Sequence, residues 1–462
     1  MRSHFEELDS IIPPERQAAD PDSLKTYGRD WTKYFEPHPS RIVFPQSTDE
    51  VRRLVLWARK HRIALVPSGG RTGLSSGAVA AKGEVVVSLE RMNSLLEFDS
   101  ADGSLRVQAG MITETVQQIA HDKGLYFPVD FASRGSSQIG GNVATNAGGI
   151  KVLKYGMIRN WISGLTVVTG SGEVLSLNRG LVKNATGYDF RHLFIGSEGT
   201  LGIVTEVTLK LTTPPGPLRV LLMGVNDLKA VMEVFETFRS QTPLIAFEMF
   251  TEKALHYVLQ NATDLQRPFE TKAAYYLLAE VEVSSDAEFE KALNAFEKCV
   301  EKSWVIDGVI SQSEAQAKNF WRLREDISEA CSRYTPYKND VSVRISKVPE
   351  FMAEIDSTLQ ASYPDLEVVW FGHIGDGNLH ISILKPEGLS MGEFVGRCRR
   401  IDEALSSVIQ KLEGSLSAEH GVGMSKKPFL SFTRSSSEIE LMRQVKRVFD
   451  PDGIINPGKI FD

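Results

Sequence analysis

Cysteine is scarce in this chain: three residues in 462, Cys299, Cys331 and Cys398, far apart, odd in number and without a CxxC. That usage disfavours a disulfide framework, an iron-sulfur site and a cysteine zinc site, and it fits a reducing cytoplasm. Long apolar runs are missing as well. The opening MRSHFEELDSIIPPERQ has no apolar signal core, and no stretch approaches the roughly 18 to 20 apolar residues that cross a bilayer. A soluble, unsecreted protein without a membrane span is expected. Basic residues are in deficit, 52 Lys and Arg against 59 Asp and Glu for a net charge of -7, so nothing favours a nucleic-acid partner. A small molecule or another protein is the expected partner. No GxGxxG follows a strand and no GxxxxGK[ST] occurs, so a Rossmann dinucleotide site and a P-loop both lack their signature.

What is present is enough apolar content, 42% of the chain, for two or three domains. Residues 1–37 are polar and mixed, and read as an N-terminal arm or short helices without a core of their own. From Arg41 the pattern changes: RIVFP reads as a strand, STDEVRRLVLWARKH as a capped helix, and IALVPSGG as a strand running into glycine, the opening of a βαβ unit. Strands follow at EVVVSL, SLRVQAG, LTVVTG, GEVLSL and GIVTEVTLKL, with a helix at TETVQQIAHDKG. The breaker-rich TTPPGP at 212–217 marks a boundary. Beyond it, strands (LRVLLMGV, AAYYLLAEVEV) alternate with helices (DLKAVMEVFETFRS, DAEFEKALNAFEKCVEK), an α+β pattern of helices over a largely antiparallel sheet. The last helix, SEIELMRQVKRVFD, should stop at Asp450-Pro451, because proline disfavours helical backbone in the residue before it.

Three glycine-rich stretches stand out: PSGGRTGLSSGA (67–78), RGSSQIGGNVATNAGG (134–149) and GSEGTLG (196–202). Any one could be a tight turn. Three in one domain point to a backbone that approaches a pyrophosphate closely, because residues without Cβ allow the approach and successive N–H groups form concave anion sites.

The stretch VVWFGHIGDGNLHISIL reads as a hairpin with Asp376-Gly377 as a two-residue turn. In that register His373 faces His380, with Cβ atoms roughly 4.5–5.5 Å apart, near enough for both imidazoles to reach one ion. The opposite face would carry Trp370, Ile374, Leu379, Ile381 and Ile383. Two histidines make half a metal site; a solvated or hydrogen-bonded pair is the plain alternative.

The order PSGGRTGL, IGGNVATNAGG, KYG, VKNATGYD and GSEGTLGIVTEVTLKL is similar to the FAD-binding domain of the p-cresol methylhydroxylase (vanillyl-alcohol oxidase) flavoproteins. The C-terminal GHIGDGNLH, AEHGVG and DPDGIINPGK resemble its D-2-hydroxyacid dehydrogenase branch, over about residues 38–462. The resemblance implies an α+β protein: a two-lobed non-Rossmann FAD-binding domain (38–214), a substrate or cap domain with a largely antiparallel sheet (215–418) and a C-terminal segment (419–462) returning to the flavin. Pro67, Ser68, Gly69, Gly70, Arg71, Thr72, Gly73 and Leu74 would line the pyrophosphate and ribityl chain with Gly135, Ser137, Ile139, Gly140, Gly141, Asn142, Thr145, Asn146 and Gly149. Gly199, Gly202, Ile203 and Val204 would lie toward the adenine, and Asn456 and Lys459 would approach the flavin. Some relatives attach flavin through a histidine after paired glycines or through a cysteine. Here Arg71 follows Gly69 and Gly70 and no cysteine precedes 299, so non-covalent FAD is expected.

The same resemblance implies that Glu419 joins His373 and His380 as ligands of a divalent metal, with zinc the expected ion, and that His420 takes the substrate hydroxyl proton as hydride passes to flavin N5. Arg324, Ser328 and Lys338, from WRLREDISEA and YTPYKND, would face the substrate carboxylate. Ser382 stands where the hydroxyglutarate enzymes typically have Asn, which leaves side-chain specificity open. The implied activity is oxidation of a D-2-hydroxyacid, D-2-hydroxyglutarate first, to the 2-oxoacid. The alternatives are D-lactate oxidation, the flavin subunit of a glycolate oxidase complex, and a non-redox alkylglycerone-phosphate synthase type. Without a cysteine cluster, electrons would leave through an external carrier such as electron-transfer flavoprotein or a quinone-linked protein. The oligomeric state is open, a homodimer included.

Overall fold

In the computed structural model, residues 4–32 and 34–462 are described. They form two compact units: residues 1–149, 156–214 and 419–462 in the first, 150–155 and 215–418 in the second.

The first unit has two sheets. One has four strands in the spatial order Gln17–Ala18, Arg41–Val43, Val85–Ser88 and Leu65–Ser68, the first pair antiparallel and the others parallel. The helix Thr48–His61 makes the crossover from Arg41–Val43 to Leu65–Ser68. Its Ser47 cap accepts from Glu50 N, and Val51, Leu54, Val55 and Ala58 bury one helical face. The second sheet is antiparallel, in the order Leu95–Asp99, Ser104–Gln108, Gly202–Lys210, Ile162–Thr169, Val174–Leu177. Strand Leu95–Asp99 has no counterpart in the sequence reading: it is an edge strand whose leucines are exposed, so its apolar residues do not report a buried face.

Residues 4–27 do contain short helices, His4–Asp9 and Pro21–Tyr27, but Leu8 and Ile12 are fully buried in the main core and Gln17–Ala18 pair with the sheet. Two apolar residues in a polar run carry no local signal when the core they enter is laid down by segments tens of residues away. Among the polar residues there, Glu7 binds Lys60 at 2.8 Å and His61 at 2.9 Å.

The C-terminal segment enters the first unit. Helix Ser436–Phe449 ends before Pro451, and the buried Asp450 carboxylate accepts from Ile454 N and Ile455 N at 3.1 and 2.9 Å and from Lys446 Nζ at 2.7 Å. Ile455 then bridges Leu65 in parallel, through Leu65 N to Ile454 O (2.8 Å) and Asn456 N to Leu65 O (2.7 Å).

The second unit is built on a seven-stranded sheet, antiparallel throughout, in the order Asp307–Ile310, Leu218–Val225, Tyr275–Glu282, Leu244–Thr251, Glu367–Gly372, Asn378–Leu384, Tyr337–Ser342. Alternation sends Leu221, Phe247, Met249, Trp370, Ile381 and Ile383 into one core with helices Leu228–Gln241, Asp286–Glu301, Val348–Ser362 and Met391–Lys411. Val220, Leu222, Ala246, Phe250, Val369 and Phe371 pack on the other face against Glu252–Asn261, Glu314–Glu325 and Ile327–Ser332. That second face also carries the polar cluster described below.

Among the described residues no helix is long and apolar enough to cross a membrane.

Candidate functional site

In the first unit the glycine motifs lie against one another. Gly70 is a close approach: a Cβ there would stand 2.0 Å from Ser136 O, so only glycine lets loop 67–74 meet loop 134–138. Gly423, at φ +51, lies against the same region from the C-terminal side, where a Cβ would be 2.0 Å from Ser75 O. Ser75 Oγ donates to His420 O at 2.7 Å, and Met424 N and Ser425 N donate to Ser75 O at 3.1 Å. Glu198 of GSEGTLG, which burial pushes toward the neutral acid, accepts from Val422 N at 2.6 Å and Gly423 N at 2.7 Å. Gly149 N donates to Glu419 Oε1 at 2.6 Å. Asn456 donates to Gly77 O (3.0 Å) and Glu198 O (2.8 Å), and Lys459 Nζ to Val79 O (2.8 Å). Burial lowers the Lys459 ammonium to about 8. Four stretches far apart in sequence are therefore stitched into one region.

The unmet hydrogen-bonding groups of that region, acceptors and a hydroxyl, fit a polar ligand such as the dinucleotide FAD. Ser68 Oγ, Gln138 Oε1, Asn146 Oδ1 and Asn456 Oδ1 are buried without a hydrogen-bond partner, an arrangement that costs about 1–3 kcal/mol per group unless a ligand or water satisfies it. A Cβ at Gly141 would meet nothing within 4 Å. Not every implied residue offers a side chain. Ile139, Ile203 and Val204 are in the hydrophobic core. Ser137 and Asn142 are engaged with Thr113, at 2.8 and 2.6 Å. The three apolar residues can contribute backbone groups alone, and the other two side chains already have a protein partner. Arg71, at φ 58, stacks over Tyr27 with 4.3 Å from Cζ to the ring centre.

In the second unit the hairpin exists, but its register differs from the one read in the sequence. Phe371, not His373, pairs with His380. The strands end at Gly372 and restart at Asn378, so the connection is the five-residue segment 373–377 instead of a two-residue turn. Asn378 N and Asp376 N donate to His373 O at 3.3 and 3.1 Å, closing this wider loop. Because the offset is two residues, the faces survive: Trp370, Ile374, Leu379, Ile381 and Ile383 are all in one core. His373 and His380 still come together, with ring centres 5.2 Å apart and planes at 83°.

Each imidazole is backed by a buried carboxylate that sequence reading missed. His373 Nδ1 lies 2.7 Å from Glu248 Oε1, and His380 Nδ1 lies 3.5 Å from Asp340 Oδ1. The signals were present: Glu248 is the one charged residue in the otherwise apolar strand LIAFEMF, and Asp340 alternates with Lys338 on Tyr337–Ser342. Asp340 is in turn held by Asn378 Nδ2 at 2.8 Å.

The residues implied to hold substrate lie on the same sheet face or the helices over it. Lys338 pairs with Ser382, and Asp340 with His380, across adjacent strands. Ser382 is 1% exposed and its hydroxyl lacks a hydrogen-bond partner. Arg324, 5% exposed, sits near the end of helix Glu314–Glu325, with its Cζ 4.9 Å from the Phe371 ring centre. Arg324 Nη2 lies 2.9 Å from Glu248 Oε2, yet Nε and Nη2 make no well-aligned hydrogen bond. Ser328 is half-buried in the short helix Ile327–Ser332. Burial lowers the Lys338 ammonium from its ordinary value.

Residues 39–178 match the FAD binding domain family, and residues 215–460 match the C-terminal domain family of FAD linked oxidases. Fold and matches together define the class, a FAD-linked oxidoreductase. The fold is similar to that of p-cresol methylhydroxylase with substrate bound, at TM-score 0.77 and 15% identity, covering 100% of this chain and 98% of that one. The chain is 55% identical to D-2-hydroxyglutarate dehydrogenase of Stutzerimonas stutzeri over 99% of its own length and 98% of the relative's. It is 54% identical to the enzyme of the same name from Xanthomonas citri pv. viticola, over 98% and 96%. The chain belongs to the D-2-hydroxyglutarate dehydrogenase family.

Proposed function

We propose that this chain oxidises D-2-hydroxyglutarate to the 2-oxoacid, using non-covalent FAD and a divalent ion, zinc, held by His373, His380 and Glu419. The observation that carries the metal reading is the pair of imidazoles 5.2 Å apart, each with Nδ1 against a buried carboxylate. Histidines that ligate a metal are commonly held this way, because the carboxylate sets the tautomer and directs Nε2 toward the ion. When bound, FAD supplies the hydride acceptor and the ion a Lewis acid.

The chain's own residues do the rest. The loops around Gly70, Gly141 and Gly149 hold the dinucleotide, with Asn456 and Lys459 supporting it from the C-terminal segment. His420 takes the proton of the C2 hydroxyl. Arg324, Lys338 and Ser382, with Ser328 nearby in sequence, grip the far carboxylate of a C5 diacid. Arg324 Nε and the Ser382 hydroxyl, buried without a hydrogen-bond partner, favour a second carboxylate over the methyl of D-lactate, since an unmet buried donor penalises a ligand that cannot satisfy it. Electrons leave through an external carrier, an electron-transfer flavoprotein or a quinone-linked protein, in the cytoplasm.

The test is anaerobic bleaching of the flavin absorbance. D-2-hydroxyglutarate should bleach fastest, D-malate and D-lactate more slowly, and the L-isomers not at all. Bleaching by no hydroxyacid, or by L-isomers in preference, would overturn the reading.

A further inference from the structure

We propose that Glu248 is a shared positioning residue, tying the metal-binding histidine to the arginine that grips the substrate's far carboxylate. This rests on the reading just given and names what makes that reading selective for diacids. Glu248 stands in the middle of strand Leu244–Thr251, with its side chain 1% exposed and apolar residues on either side along the chain. A lone carboxylate there would be severely destabilising, so its two oxygens need partners. They have two, from different elements: Oε1 lies 2.7 Å from His373 Nδ1 in the 373–377 loop, and Oε2 lies 2.9 Å from Arg324 Nη2 on the helix above.

The contacts continue from there and close on themselves. Arg324 lies over Phe371, whose ring centre is 5.0 Å from that of His380, and His380 is 5.2 Å from His373. A displacement of the carboxylate therefore moves one member of each functional pair at once. With Nδ1 held by Glu248, Nε2 is the His373 nitrogen that would ligate the ion. The guanidinium is held at Nη2 by the ion pair with Glu248 and not by an aligned hydrogen bond, while its Nε, with neither, is the donor available to a ligand carboxylate. An amide at position 248 could still accept from the imidazole through its oxygen, but its N–H groups would then point at the guanidinium, donor against donor.

The experiment uses FAD-loaded enzyme stripped of metal by chelation and titrated with Zn2+ against a chromophoric chelator, comparing wild type, E248Q, E248D and H373A. KM and kcat for D-2-hydroxyglutarate and D-lactate follow at saturating Zn2+. Glu248→Gln should weaken Zn2+ by about 10- to 100-fold, the usual effect of losing a carboxylate behind a metal-bound histidine. It should also raise KM for the diacid more than for the monoacid, with kcat changed less than KM. Glu248→Asp, which keeps the charge, should recover part of both effects, which a merely structural role would not produce. Wild-type Zn2+ affinity and an unchanged KM ratio in E248Q would overturn the assignment. If H373A loses Zn2+ while E248Q does not, the role of Glu248 alone fails; if H373A also binds Zn2+ normally, the metal reading fails with it.

Discussion

The first unit and the second build their functional regions from different parts of the residue. In the first, the work falls to the backbone: Gly70 and Gly423 allow loops to touch, Glu198 and Asn456 take left-handed conformations, and the links run mostly through main-chain N–H and C=O groups. In the second, the polar side chains of the proposed site project from one face of a regular sheet, and strand pairing sets their spacing. A backbone-built region is identity-specific at glycine and tolerant elsewhere. A side-chain-built face tolerates backbone-neutral changes but depends on charge and functional group at each position. The first arrangement suits a cofactor that never changes, the second a substrate that must be told from its relatives.

Substitutions can separate the two. The largest effect is expected from His420→Asn on the first unit's C-terminal loop: anaerobic flavin reduction should fall about 100- to 10,000-fold, the range for loss of a general base, with the flavin spectrum intact. A wild-type reduction rate would remove His420 from the mechanism. Next, Arg324→Met in the second unit should cost about 1.5–3 kcal/mol of diacid binding, the worth of a charged hydrogen bond, read as a KM roughly ten- to a hundred-fold higher while FAD content stays normal. Gly70→Ala should do the reverse. Forcing a Cβ onto Ser136 O costs about 1–3 kcal/mol and should lower FAD content in the purified protein, with Zn2+ affinity unchanged. If R324M sheds flavin, or G70A sheds metal instead of flavin, the division of labour is wrong.

The smallest effect concerns pH. Burial lowers the pKa of Lys338, so its ammonium loses charge at a lower pH than an ordinary lysine would. If Lys338 grips the diacid as proposed, binding should weaken as pH rises through the lowered value. KM for D-2-hydroxyglutarate should therefore climb at alkaline pH while that for D-lactate stays flat. Lys338→Arg, charged throughout, should flatten the diacid profile; an unchanged slope would take Lys338 out of substrate binding.

The histidine hairpin marks how far local pattern reaches. Its existence, its core face and the meeting of His373 and His380 follow from alternation with period two. The pairing partner does not, because the length of the connection depends on the loop's own geometry, and five residues close it where two were expected. An offset of two preserves the faces, so the same side chains share the core. The N-terminal residues mark the opposite limit: Leu8 and Ile12 are core residues that no local density announces.

Sequence by itself determined helices such as Thr48–His61 with its Ser47 cap, the alternation of the strands around the histidines, the glycine motifs and the family they belong to, since all of these reside in residues near one another along the chain. Tertiary structure alone decided which carboxylates stand behind the histidines. Glu248 meets His373 across 125 residues of chain, through a strand adjacency, Leu244–Thr251 beside Glu367–Gly372, that no periodicity encodes. It also decided that Glu198 should hold the 419–425 loop from more than 220 residues away. Burial left these carboxylates in need of partners, and only the folded chain could bring the partners to them.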